Sequence, residues 1–93
     1  MWLTFEWDPT KALDNERKHG VSFDEATTAF ADASSLTIHD PEHSDQEDRY
    51  VLLGMSAAGR LLVVVHAERG DNIRLISART ADRREAAKYT RSH

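Results

Sequence analysis

The side chains most able to do chemistry in this 93-residue chain are the arginines of its second half. Residues 49–93 hold nine basic side chains, eight of them arginine (Arg49, Arg60, Arg69, Arg74, Arg79, Arg83, Arg84 and Arg91), against four acidic ones. Residues 1–48 hold 12 acidic and three basic side chains, so the formal net charge of −4 conceals two halves of opposite sign. A guanidinium is planar, permanently charged and able to donate two parallel hydrogen bonds, which suits it to phosphate. His66 adds a group that titrates near neutrality, and Tyr50 a ring on which a base can stack. His39 and His43 have the i,i+4 spacing of a helical metal pair. Pro41 lies between them, however, in a turn-rich acidic stretch (39–48) that reads as a solvated loop, so no metal site and no cofactor are expected.

Composition narrows the setting for that chemistry. At 30% charged and 40% hydrophobic, residues 1–93 read as one domain with one modest core. The chain has no cysteine, hence neither a disulfide frame nor a thiolate metal site, which fits a reducing cytoplasm. No segment resembles a signal peptide, and no apolar run approaches the roughly 18 residues of a membrane helix. The expectation is a cytoplasmic protein with no membrane association.

The elements that must hold the arginines are organised around residues 60–79. Leu61 to Val65 form an unbroken apolar, β-branched run, read as a strand covered on both faces. Arg69-Gly70-Asp71-Asn72 supplies turn chemistry, and Ile73 to Ala78 alternate as a returning strand. Before this hairpin, residues 2–7 alternate as a short strand at a sheet edge. Asp8-Pro9 starts a polar helix that Gly20 ends. Ser22 and Glu25 form a capping box for a second helix, whose Phe23, Ala26, Ala29 and Phe30 share one face. Strands follow at 36–38 and 49–56, and a last helix at 80–91 takes Thr80 as its N-cap. The order β-α-α-β-β-β-β-α predicts an α+β fold: a small, mainly antiparallel sheet with helices packed on one face.

A two-residue turn at Arg69-Gly70 and a three-residue turn at 57–59 assign the central strands to two sides. One side then holds Val51, Leu53, Met55, Leu61, Val63, Val65, Ile76 and Ala78, with charges only at its rim (Arg49 and Arg74), and reads as the core face. The other holds Tyr50, Leu52, Arg60, Leu62, Val64, His66, Ile73, Leu75, Ser77 and Arg79, and reads as the face to search for a site. In this register Arg60 opposes Arg79; splaying into water is the commoner reason for such a pair, and a bound anion is the other. Arg49 and Arg79 come out six or seven residues apart along the strands, on the order of 20 Å. That is too far to grip one phosphate unless a bulge or bend intervenes.

Several segments together resemble a known family. FEWDPTKALDNERKHGVSFDEA (5–26), EDRYVLLGMS (47–56), GRLLVVVHAERGDNIRLISART (59–80) and RREAAKY (83–89) are similar to the BrnT toxins of BrnT/BrnA type II toxin–antitoxin modules. The resemblance implies a RelE-like fold and metal-independent, messenger-RNA-directed ribonuclease activity that arrests translation. It further implies a BrnA-like ribbon-helix-helix antitoxin as partner, with operator DNA contacted only through that antitoxin. Carried over on the matching motifs are Lys18 and His19 of K-H-G, Glu47 and Arg49, His66, and Arg79 of I-S-A-R. RelE-type toxins often use a C-terminal tyrosine or histidine, and Tyr89 is the nearest counterpart.

Metal-free RNA cleavage needs a base for the 2′-hydroxyl, cations for the phosphate's developing charge, and an acid for the leaving oxygen. Arg79 and Arg49 suit the cationic role and His66 or Glu47 the base. Lys18, His19 or Tyr89 can supply a proton or a phosphate contact, Arg60 another phosphate contact, and Tyr50 a stacking surface. Two other classes compete with this expectation. One is a catalytically silent co-repressor that only binds the antitoxin. The other is a direct DNA-binding module, disfavoured because no helix-turn-helix is evident and the first half is acidic.

Overall fold

The computed structural model describes residues 3–43 and 47–92, without the His43 side chain. Trp2 of the expected first strand and residues 44–46 of the acidic stretch lie outside the described residues. In chain order the elements are β1 (Thr4–Glu6), α1 (Pro9–His19), α2 (Phe23–Thr28), a 3-10 turn (Ala29–Ala31), β2 (Leu36–Asp40), a second 3-10 turn (Pro41–His43), β3 (Arg49–Met55), β4 (Leu61–Arg69), β5 (Asn72–Thr80) and α3 (Arg83–Arg91).

Local chemistry sets the helix ends. The Asp8 carboxylate accepts from Thr10 N at 2.8 Å and Lys11 N at 3.3 Å, and Pro9 opens α1 with its φ already helical. Gly20, at φ +67°, closes it by donating its N–H to the Glu16 carbonyl. The Ser22 hydroxyl accepts from Glu25 N at 3.0 Å. The Glu25 carboxylate does not return to Ser22 but reaches Arg60 and Ser56, so only half of the expected capping box forms. The last helix starts later than Thr80, at a full box in which Asp82 and Glu85 satisfy each other's backbone N–H.

The five strands lie in the order β1-β5-β4-β3-β2, with β1 parallel to β5 and every other pair antiparallel. Val21, Phe23, Ala26 and Ala29 of the α2 region pack on Leu52, Leu62, Val64, Ile73, Leu75 and Ala78. This is the face that the sequence register offered as the site, so the expected assignment of the two sides is reversed. The 3-10 turn presses close on β3: a Cβ at Gly54 would lie 2.8 Å from the Ala29 carbonyl oxygen.

β5 also departs from the expected register. The turn residues are Gly70 and Asp71, with Arg69 opposite Asn72, one position later than expected. Next, His66 pairs with Leu75 while Val65 pairs with Ser77, leaving Ile76 as an extra residue in a bulge. Side chains before and after Ile76 therefore fall on opposite parities. Ala78 turns into the helix-covered core, and Arg74, Ser77 and Arg79 all take the far face, beside Ala67, Val65 and Val63. Arg60 and Arg79 do not oppose each other, since Arg79 pairs with Val63.

Two helices flank that far face. α1 runs along the edge of β5 beyond the end of β1. There the buried Asn15 amide takes the place of a neighbouring strand: Oδ1 accepts from Ala78 N at 3.0 Å and Nδ2 donates to Ala78 O at 2.8 Å. A further bond runs from Nδ2 to Val21 O at 3.0 Å. At the other end α3 lies over the sheet, with Glu85 and Lys88 beside Val51, Leu53 and Val63.

Candidate nucleic-acid interface

The far face of the sheet and the inner side of α1 form two adjoining grooves. One, of about 220 Å³, is lined by Asp8, Lys11, Glu47, Arg49, Arg74, Leu75 and Ile76. The next, of about 260 Å³, is lined by Lys11, Asp14, Asn15, Lys18, His19, Ile76 and Ser77. They share Lys11 and the bulged Ile76, so one track runs from Arg49 to His19, with Lys11, Lys18, Arg49 and Arg74 on its two walls and the carboxylates of Asp8, Asp14 and Glu47 among them. Lys11 and Lys18 are seven residues apart, two turns of α1, and so lie on one side of it.

The rims are held by ion pairs. Glu47 lies 2.7 Å from Arg69 and 3.7 Å from Arg74, so one carboxylate ties two guanidinium groups at the mouth of the first groove. Arg49 and Arg74 flank the buried Ala67 in one cross-strand row, with Asp40 and Glu6 at its ends. The small side chain between them leaves the space that the groove occupies.

Of the residues singled out from sequence, the structure gathers Lys18, His19, Glu47 and Arg49 along this track. Arg79 shares its face, four residues along β4 from Arg49 (Val63 against Ala67). That is about 13 Å of strand, shorter than the expected separation because of the shifted turn and the bulge. Both η nitrogens of Arg79 lie 2.8 Å from the Glu85 carboxylate.

The other candidates stand elsewhere. His66 is 1% exposed on the helix-covered face, its ring against Phe30 at 4.9 Å and Tyr50 at 5.8 Å. Burial holds its imidazole below the usual histidine value, partly offset by Glu68. A base for RNA must reach solvent, so the expected catalytic role of His66 does not fit this placement. Tyr50 stands on the same side, between His66 and His39. Arg60 is clasped by Glu25 and donates to the Gly20 carbonyl, tying the β3–β4 turn to α2. Tyr89 donates its hydroxyl proton to Asp32 at 2.6 Å, an arrangement that raises the phenol above its ordinary value and anchors α3.

Two groove residues went unassigned in the sequence. Lys11 was legible, because it repeats at helical spacing with Lys18. Arg74 was not, because it falls with Arg49 on the side that the sequence register reads as the core face, whereas the α2 region covers the other.

A family model described as "Ribonuclease toxin, BrnT, of type II toxin-antitoxin system" matches residues 7–85. The chain belongs to the BrnT family. It is therefore a ribonuclease toxin of a type II toxin–antitoxin system, a class that implies an antitoxin partner. Among solved structures, the ribonuclease toxin BrnT of Brucella abortus superposes with a TM-score of 0.64 at 20% identity, over 88% of this chain and 100% of that one. At that identity the likeness speaks for the fold alone. No curated protein matches the chain. Among the described residues, no helix of this BrnT-family chain is long and apolar enough to cross a membrane.

Proposed function

We propose that this BrnT-family toxin cleaves single-stranded RNA without a metal ion, along the track between α1 and the far face of the sheet. A BrnA-like ribbon-helix-helix antitoxin neutralises it, and the toxin meets operator DNA only through that partner. The observation that carries the reading is the convergence of Lys11, Lys18, His19, Arg49 and Arg74, with Glu47, on two grooves that share a wall. Arg49, Arg74 and Lys11 stabilise the charge that grows on the phosphate as the 2′-oxygen attacks, with donors fixed before the reaction begins. Glu47 takes the 2′-hydroxyl proton, and His19 or Lys18 returns one to the leaving 5′-oxygen. Arg79 contacts flanking phosphate, where RNA must compete with Glu85 for its guanidinium.

The test is expression of the chain alone and with the protein of the adjacent reading frame, followed by RNA analysis. The purified chain is then assayed on RNA in chelator. Growth arrest relieved by the co-expressed protein, and cleavage that survives chelator, are the expected results. Lys11→Ala and Arg74→Ala should each lower cleavage by about 10²-fold or more. Unchanged rates in the double variant would remove this track from the mechanism. Arg60 and Arg79 are already engaged by carboxylates, which favours the second reading, a silent antitoxin-binding co-repressor. Absence of cleavage with intact antitoxin binding would establish it.

A further inference from the structure

α1 is a ridge between two grooves of opposite character. Its inner side carries Lys11 and Lys18 toward the sheet. Its outer side presents Pro9, Ala12, Leu13 and Glu16, at i, i+3, i+4 and i+7. This side forms, with Trp7, Ser22, Phe23 and Asp24, a concavity of about 310 Å³, larger than either basic groove. Its walls are apolar: Trp7 and Phe23 meet edge to face at 5.9 Å, and Leu13 is 58% exposed at the rim. The only charged residues in its lining are Glu16 and Asp24, both exposed.

RNA is a poor occupant, since this lining offers two carboxylates and no cation to meet a phosphate. A neutral apolar segment would leave those carboxylates without partners at its edge. We propose that this outer groove is the docking site for a cationic amphipathic segment of the antitoxin, its apolar residues seated on Trp7, Pro9 and Leu13 and its Lys or Arg side chains meeting Glu16 and Asp24. The inference rests on the antitoxin partnership of the proposed function. A protein that also binds operator DNA carries the basic sequence that this groove complements. The acidic half of the chain thus receives the protein partner, and the basic track on the opposite side of α1 is left to RNA. Docking along α1 brings the antitoxin to the wall that carries Lys11 and Lys18, close enough to close the track.

The experiment pairs variants on the two sides of one helix. The adjacent-frame protein is titrated against the wild type, Leu13→Asp, the double variant Glu16→Lys/Asp24→Lys, and Lys11→Ala, with RNA cleavage measured in parallel. All substituted outer residues are exposed, so far-UV circular dichroism and melting temperature should match the wild type. Leu13→Asp and Glu16→Lys/Asp24→Lys are expected to weaken binding at least tenfold and keep full cleavage. Lys11→Ala is expected to lose cleavage and keep binding. Wild-type binding should weaken with salt, and the charge-reversed variant should lose most of that dependence. Undiminished binding by both outer variants would overturn the docking site while leaving the partnership intact. No binding by the wild type would overturn both. Loss of self-association, or of RNA binding, in the outer variants with antitoxin binding unchanged would reassign the groove to a second copy or to RNA.

Discussion

Glu85 grips Arg79 through both oxygens at 2.8 Å, and Oε1 also accepts from Asp82 N at 2.9 Å. The guanidinium, helped by that backbone donor, lowers the Glu85 carboxyl from 4.5 to about 2. A depressed carboxyl stabilises the fold above its unfolded value, and the contribution is lost as pH falls through the folded one. Acid titration should therefore show a limb between about pH 4.5 and 2 that Glu85→Gln removes, read from unfolding midpoints. His66 acts higher on the scale. Its buried ring favours the neutral form, and Nδ1 finds no hydrogen-bond partner among the described residues. The unfolded chain binds a proton there near the ordinary 6.5 while the folded chain resists it, so stability should fall as pH drops below that value. In His66→Leu the slope of stability against pH should flatten below pH 6.5, whatever the change in absolute stability. A slope identical to that of the wild type would place the titrating group elsewhere.

At the scale of elements, the site depends on two devices that compensate for irregular pairing. Where β1 stops, the Asn15 amide completes the edge of β5 and fixes α1 against it, which in turn positions Lys11 and Lys18. Asn15→Ala would leave the N–H and C=O of Ala78 buried without partners, at a cost of about 3 kcal/mol. Chemical denaturation should show that loss, with cleavage falling further than the folded fraction explains as α1 shifts. The bulge at Ile76 is the second device. Arg74 and Arg79 are five positions apart and would point to opposite sides of a regular strand; the extra residue puts both on one.

For the molecule as a whole, α1 separates two grooves, one on its inner side that gathers Lys11, Lys18, Arg49 and Arg74 and an apolar one on its outer side whose charges are Glu16 and Asp24. RNA binding by the basic track should be strongly salt-dependent. For single strands the slope of log K against log salt falls by about 0.7 for each phosphate contact removed. Lys11→Ala and Arg74→Ala should each reduce the slope by about that amount, as measured by fluorescence anisotropy in graded salt. A slope unaffected by both substitutions would put the RNA elsewhere.

The amino-acid sequence by itself determined the element order, most helix caps, the β3–β4 register with Tyr50 opposite His66, and the division of charge, because each follows from local spacing and side-chain chemistry. Lys18, His19, Glu47 and Arg49 could be named from motifs alone. Tertiary structure decided which face of the sheet the helices cover, and with it the burial of His66 and the recruitment of Arg74. Both sides of the central strands are largely apolar, so spacing does not say which one α2 will cover, and the bulged Ile76 then exchanged the sides of Ser77, Ala78 and Arg79. In strands whose two faces are both largely apolar, a displacement by one residue exchanges inside for outside with no change in composition that a sequence would reveal.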